Sequence, residues 1–214
     1  MTPPVRDMKS CPADEPTHIV GIGASAGGLD ALRTLLQRFT ADCTSFIIVM
    51  HLLPTRASSL AALLAPMTKM SVTTAIDGES LRKNCIYVIP PGVLLTLSTD
   101  RTLRLTPLPK TFPRTTVDQL FHSVSVLGAA GVGIVLSGKG RDGAEGLEEI
   151  RSRGGATFVQ DPRTASSPEM PENGREFADQ CLAPGALGDA LMRLVGAAPK
   201  DPADLRPASR FAEV

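Results

Sequence analysis

The stretch Ile19-Val20-Gly21-Ile22-Gly23-Ala24-Ser25-Ala26-Gly27-Gly28 constrains this chain more than any other. An apolar run enters a tight glycine-rich turn, and a helical pattern leaves it. Such a strand–turn–helix unit belongs to folds that cover a parallel sheet with helices. Gly23-Ala24-Ser25-Ala26-Gly27 fits G-x-S-x-G, the pattern that exposes a nucleophilic serine between strand end and helix start. Gly21-Ile22-Gly23-Ala24-Ser25-Ala26 equally fits G-x-G-x-x-G/A, the dinucleotide-binding fingerprint. The same residues support two chemistries, and the rest of the chain has to choose.

The alternation continues downstream. Thr17–Ile22 and Ser45–Met50 read as buried strands, with a helix over Ala26–Phe39 between them that turns Leu29, Leu32, Leu36 and Phe39 to one side. A short helix with Leu60, Leu63 and Leu64 inward follows. Val72–Ala75, Ile86–Ile89, Leu94–Leu97 and Leu103–Thr106 are short strands between turn signals, read as a β-rich insertion with hairpins. Thr116 and Gln119 have capping-box spacing ahead of a helix with Val117, Leu120, Phe121, Val124 and Leu127 on its apolar face. Gly131–Ser137 and Ala156–Gln160 read as strands, Ala144–Arg153 and Gly185–Val195 as helices, the last with Leu187, Leu191 and Leu194 inward. The expected fold is a three-layer, doubly wound α/β domain with a mostly parallel sheet and a β-hairpin insertion. It should occupy residues 17–197, between proline-bearing tails at 1–16 and 198–214.

Composition excludes several classes. Twenty-two basic residues balance 22 acidic ones, so nothing points to bulk nucleic-acid binding. No apolar run reaches membrane-spanning length, and the first residues are polar rather than signal-like. Cys11, Cys43, Cys85 and Cys181 are scattered, without C-x-x-C or His at ligand spacing. That pattern predicts free thiols in a reducing cytoplasm and no structural metal.

In an open α/β sheet, ligands bind beyond the carboxyl ends of the strands. Ser25, His51 and Asp142 each follow such an end. A Ser, a His and an Asp on one sheet edge is the set that acyl transfer needs: nucleophile, proton carrier, and a carboxylate that fixes the imidazole tautomer. Their chain order differs from the Ser…Asp…His of α/β-hydrolases. The dinucleotide reading lacks its acid, because the second strand ends Val49-Met50-His51 and Asp42 precedes that strand. A phosphate loop at Gly133…Gly138-Lys139 fails too, with Gly140 where a Ser/Thr is required. His18 and His122 read as structural.

At these positions the chain resembles a known family. Gly21–Gly28, Met50-His51-Leu52-Leu53-Pro54, Ala75-Ile76-Asp77-Gly78, Tyr87-Val88-Ile89-Pro90-Pro91-Gly92, Val117-Asp118-Gln119-Leu120-Phe121 and Ser137-Gly138-Lys139-Gly140-Arg141-Asp142-Gly143 look like the catalytic domain of CheB-type chemotaxis methylesterases. The resemblance runs in order from about Thr17 to Val195. It implies a cytoplasmic protein-glutamate methylesterase with Ser25, His51 and Asp142 as its triad, acting on γ-methyl glutamates of the cytoplasmic helices of methyl-accepting chemoreceptors. Many relatives also deamidate receptor glutamines. No metal or organic cofactor is implied, and neither nucleic acid nor membrane insertion.

Backbone N–H groups at Ala26 and Gly27 are candidate oxyanion donors, with the Lys139 loop a second candidate. Arg56, Arg114, Lys139 and Arg141 either meet an acidic receptor helix or form a solvated basic surface. Two departures stand out: Lys139 replaces the family's usual Met, and Glu169-Met170-Pro171 its frequent Gly-Met-Pro. A Lys139 ammonium beside His51 would disfavour the imidazolium and extend activity to lower pH. No receiver domain precedes the pattern, as in an excised domain, a part of a methylesterase–methyltransferase fusion, or a stand-alone enzyme; constitutive activity insensitive to phosphodonors is expected. The competing class is a catalytically degenerate module that binds signalling partners without turnover.

Overall fold

The computed structural model describes residues 14–39, 43–50, 60–108 and 115–196. Residues 1–13 and 197–214, nearly all of the expected tails, lie outside the described residues.

The first apolar run is β1 (His18–Ala24), buried at every residue, as a strand covered on both faces requires. The glycine turn opens α1 (Gly28–Arg38), and β2 (Thr44–Met50) returns beside β1 in parallel register, Ala24 level with Met50. α2 (Leu60–Leu64) buries Leu60 and Leu64, whereas Leu63 is 44% exposed, against the inward face expected for it.

The middle of the chain corrects the sequence reading. β3 (Ser71–Thr74) and β4 (Cys85–Val88) are no hairpin; they pair parallel to each other, and β4 pairs parallel to β2. Short runs beside turn residues look alike whether their strands pair parallel or antiparallel. Only β5 (Val93–Leu97) and β6 (Leu103–Pro107) form the expected antiparallel hairpin. Then follow α3 (Thr116–Ser125), β7 (Gly131–Val135), α4 (Ala144–Ser152), β8 (Ala156–Gln160), α5 (Glu169–Gly174), β9 (Gln180–Leu182) and α6 (Pro184–Gly196). In α6, Leu187 and Leu191 are buried and Leu194 packs against the same core. The parallel sheet runs β3-β4-β2-β1-β7-β8-β9.

Alternate residues of the central strands feed two cores. Val20, Ile22, Phe46, Ile48, Val132 and Ile134 pack with α1 and α6 on one face. Ile19, Ile47 and Val49 pack with α3, α4 and the hairpin on the other. This is the expected three-layer fold.

On the second face β1 and β7 present glycines where side chains would otherwise stand. A Cβ at Gly23 would lie 2.2 Å from Val117 Cγ1, and one at Gly21 3.1 Å from Phe121 Cε1. A Cβ at Gly133 would lie 2.8 Å from Leu147 and Ile150 side-chain atoms. The absent side chains let α3 and α4 press onto the sheet. The glycines of the dinucleotide pattern therefore sit inside β1 and serve helix packing, not a phosphate turn.

Among the described residues no helix is long and apolar enough to cross a membrane. Cys85 and Cys181 are free, whereas Cys43 is disulfide-bonded, which corrects the expectation of free thiols throughout. Wide spacing along a chain does not prevent approach in space, and the thiol argument for a reducing compartment lapses.

Candidate active site

The strand order reverses between β1 and β7. From β1 the chain builds outward through β2, and from β7 it builds the other way through β8. A crevice opens beyond the carboxyl ends of two such strands. Ser25 follows β1, and the segment Ser137–Asp142 follows β7.

Backbone hydrogen bonds carry the strand pairing into both loops. Leu136 N–H donates to the Gly23 carbonyl at 2.9 Å, and Ser25 N–H to the Ser137 carbonyl at 2.9 Å. Ser25 is half-buried, and its carbonyl accepts from Gly28 N–H at 2.9 Å. The left-handed turn residue is Gly27 (φ 75), and Ser25 itself is not in that region. The strain of an α/β-hydrolase elbow has thus moved two residues on, to a glycine that tolerates it. A Cβ at Gly27 would also strike Ser166 and Ser137 side-chain atoms, so no other residue fits.

A second layer of polar contacts fixes the two loops. Ser137 Oγ donates to the Ala26 carbonyl at 2.7 Å and accepts from Ser167 N–H at 3.0 Å. Gln160 Oε1 accepts from Ser137 N–H at 2.8 Å. Gly138 packs between Ser25 and Met170, where a Cβ would meet Ser25 Cβ at 2.9 Å and Met170 Sδ at 2.1 Å. Glu169 Oε2 accepts from Gly140 N–H at 2.8 Å, and Asn173 Nδ2 donates to the Gly140 carbonyl at 3.1 Å. The departure at Glu169 therefore has a job: it clamps the Lys139 loop. Sequence reasoning missed Ser137, Gln160 and Asn173, whose contacts to the two loops come from far along the chain.

Asp142 is only 3% exposed. Its Oδ2 accepts from Val117 N–H at 3.0 Å and from Thr116 Oγ1 at 3.4 Å, and its Oδ1 accepts from Asp118 N–H at 2.9 Å. These donors are the free groups at the start of α3, where a negative charge is favoured. The expected capping box at Thr116 does not form; Asp142 caps this helix from across the crevice, and Thr116 turns its hydroxyl to that carboxylate.

Asp118, unremarked in the sequence beyond its motif, is 4% exposed and accepts from the amides of Gly143 and Gly146. Burial, followed by the charge of Asp142, outweighs these amides and pushes its carboxyl up to about 6. A carboxyl raised in the folded state contributes stability below its unfolded value, and loses it as pH rises through about 6. Asp118→Asn should accordingly be at least as stable as the wild type at pH 8, and lose that standing as the pH falls toward 4. Thermal melts of both proteins across this range check it; parallel curves would refute it.

His51 and Arg56 lie outside the described residues, as does Arg114. Ala26 and Gly27 are exposed at the turn. Lys139 is exposed, and so is Arg141, which reaches Glu145 at 3.5 Å. His18 begins β1, at the opposite sheet edge, where burial lowers its pKa. His122 is paired with Glu149. Among the described residues no cluster of His, Cys, Asp and Glu is able to hold a metal ion.

Comparison with known proteins gives one answer. Residues 20–191 match the family model described as CheB methylesterase. A protein-glutamate methylesterase/protein-glutamine glutaminase of Burkholderia thailandensis is 35% identical over 183 residues, covering 79% of this chain and 51% of the relative. One from Rhizobium johnstonii is 36% identical over 186 residues, covering 84% and 54%. The chain thus spans about half the length of the curated relatives it matches. The crystal structure of the Thermotoga maritima CheB methylesterase catalytic domain superposes with a TM-score of 0.73 at 24% identity, covering 83% of this chain and 98% of that one. With the family model matched over most of its length and its Ser25 turn and Asp142 loop at the β1/β7 reversal, this chain belongs to the CheB methylesterase family.

Proposed function

We propose that this chain is a serine esterase that hydrolyses γ-methyl esters of glutamate on the cytoplasmic helices of chemoreceptors. The observation that carries the reading is the direct joining of the two loops: Ser25 N–H bonds to Ser137 of the segment that ends at Asp142. His51 is the next residue after Met50, which stands level with Ala24. Ser25 and Asp142 follow the neighbouring strands β1 and β7, and in sequence His51 comes directly after β2, the other neighbour of β1, which supports the reading.

In this mechanism Ser25 Oγ attacks the ester carbonyl while His51 takes its proton. His51 returns that proton to the departing methoxide, which leaves as methanol. Water, deprotonated by His51, then attacks the acyl-enzyme; the Ser25 oxygen leaves with the proton, and the receptor's glutamate side chain is released as a carboxylate. Asp142 holds the imidazole tautomer and stabilises its charged form. The oxyanion is received by backbone N–H groups at Ala26 and Gly27 or at Lys139. No acceptor among the described residues engages the Lys139 N–H, whereas its neighbours at Gly138 and Gly140 are both bonded. Neither metal nor organic cofactor enters any step. The names of the relatives support glutamine deamidation as a second reaction of the same site.

The test is methanol release from methylated chemoreceptor membranes, together with fluorophosphonate labelling at Ser25. A chain that labels without releasing methanol acts on another ester; one that does neither is a binding module. The exposed ammonium of Lys139 is screened by water, so Lys139→Met should leave the acid limb of the kcat/KM profile in place. An upward shift of that limb in the mutant would place the charge against His51.

A further inference from the structure

Asp118 takes no part in the hydrolysis outlined above, yet its contacts bear on it. Its Oδ1 accepts from Gly143 N–H at 2.9 Å and from Gly146 N–H at 2.8 Å. Gly143 is the N-cap of α4 and Gly146 lies in its first turn, and Asp142 stands immediately before Gly143. An aspartate beside a helix start is able to turn its carboxylate onto the free amides of that helix. Here those amides are already held by Asp118, and Asp142 turns the other way, onto Val117 and Asp118 N–H at the start of α3. The two aspartates have exchanged helices.

The exchange depends on close packing. A Cβ at Gly146 would lie 2.4 Å from Phe121 Cβ and 3.2 Å from the Asp118 Cα. Gly143 adopts φ 98, and a Cβ there would strike Val117 and Val135. Only glycines at both positions bring the α4 amides to Asp118. The other charged groups on α3 and α4 are engaged elsewhere or exposed: His122 with Glu149, which also holds Arg153 beyond the helix, Glu145 with Arg141, Arg151 with Asp179, and Glu148 facing solvent. The β-strands beneath α3 bring no charge beyond His18, at the far edge of the sheet.

We propose that Asp118 is a positioning residue for the reaction at Ser25: by occupying the Gly143 and Gly146 amides it keeps the Asp142 carboxylate at the start of α3 rather than on its own helix. This rests on Ser25 and Asp142 being catalytic. Burial and the neighbouring charge of Asp142 make the arrangement costly to hold, which is unlike a cap selected for stability alone.

The experiment measures fluorophosphonate labelling of Ser25, which needs no knowledge of the substrate, alongside methanol release from methylated receptor membranes. Asp118→Ala frees both amides, and should slow labelling by about 10²- to 10³-fold as Asp142 turns away. Asp118→Asn keeps an acceptor oxygen, and should recover to within about tenfold of wild type. In an Asp142→Asn background, Asp118→Ala should add less than about twofold, because it acts through Asp142. Rates are normalised to the folded fraction. If the alanine variant does not fold, Asp118→Ser, whose hydroxyl is too short to hold both amides, replaces it with the same expected order. Wild-type labelling in the Ala or Ser variant, an Asn variant as slow as the Ala one, or multiplicative losses in the double mutant would overturn the proposal. A wild-type chain that does not label overturns both this proposal and the catalytic reading. Labelling without methanol release overturns the substrate alone.

Discussion

Ser25→Ala should lower methyl-ester turnover by about 10⁴- to 10⁶-fold and leave the melting temperature near that of wild type. The two expectations come from different atoms. The Ser25 N–H and carbonyl bond to Ser137 and Gly28, and its Cβ faces Gly138. Alanine keeps all of these. Only the hydroxyl is lost, and among the described residues no group is hydrogen-bonded to it. Methanol release gives the first quantity and a thermal melt the second. His51→Ala should be about as severe, and the double mutant scarcely worse than either, because the two act in one step. Additive losses would mean that they do not share it.

Asp142→Asn should be nearly as damaging, by about 10⁴-fold, through the wrong imidazole tautomer. Unlike the serine substitution it should also cost stability. Both carboxylate oxygens accept backbone N–H groups of α3. An asparagine side chain turns its NH₂ toward one of them in either orientation, leaving a buried donor without a partner, at about 1–3 kcal/mol. Turnover and melting measured on the same preparation separate the effects. An Asp142→Asn enzyme with wild-type turnover would remove Asp142 from the mechanism, whatever happened to its stability.

The lost box at Thr116 and the shifted strain at Ser25 share one origin. Capping-box spacing is a local signal, and it assumes that the helix start must satisfy its own amides. At α3 the amides are satisfied by Asp142 instead, a residue 25 positions from Val117. The elbow pattern assumes a strained serine. The turn here places its left-handed residue at Gly27, because Ser137 and Ser166 crowd that position and leave room only for glycine. Of the hairpins expected in the middle of the chain, β5–β6 forms, and pairing of the two earlier runs as a hairpin failed for a related reason. Strand propensity at Val72–Thr74 and Ile86–Val88 was visible, but parallel pairing is decided by which edge β4 reaches, and that edge is β2.

The order of apolar runs and helical faces was enough, without coordinates, for the three-layer α/β fold. Period and burial are properties of consecutive residues, and Ser25 and Asp142 follow strands that any reading of the pattern finds. What the sequence could not supply is the meaning of its glycines and of Asp118. Gly21 and Gly23 look like a phosphate turn until Val117 and Phe121 are seen filling their space. Asp118 looks like a first-turn acid of α3 until the α4 amides arrive beside it. Contacts across the β1/β7 reversal join residues more than a hundred positions apart, such as Ser25 and Ser137. Local periodicity carries no information about such pairs; the parallel pairing of β1 with β7 brings Ser25 to Ser137, and the packing of two helices onto a glycine-lined sheet brings Asp118 to the α4 amides.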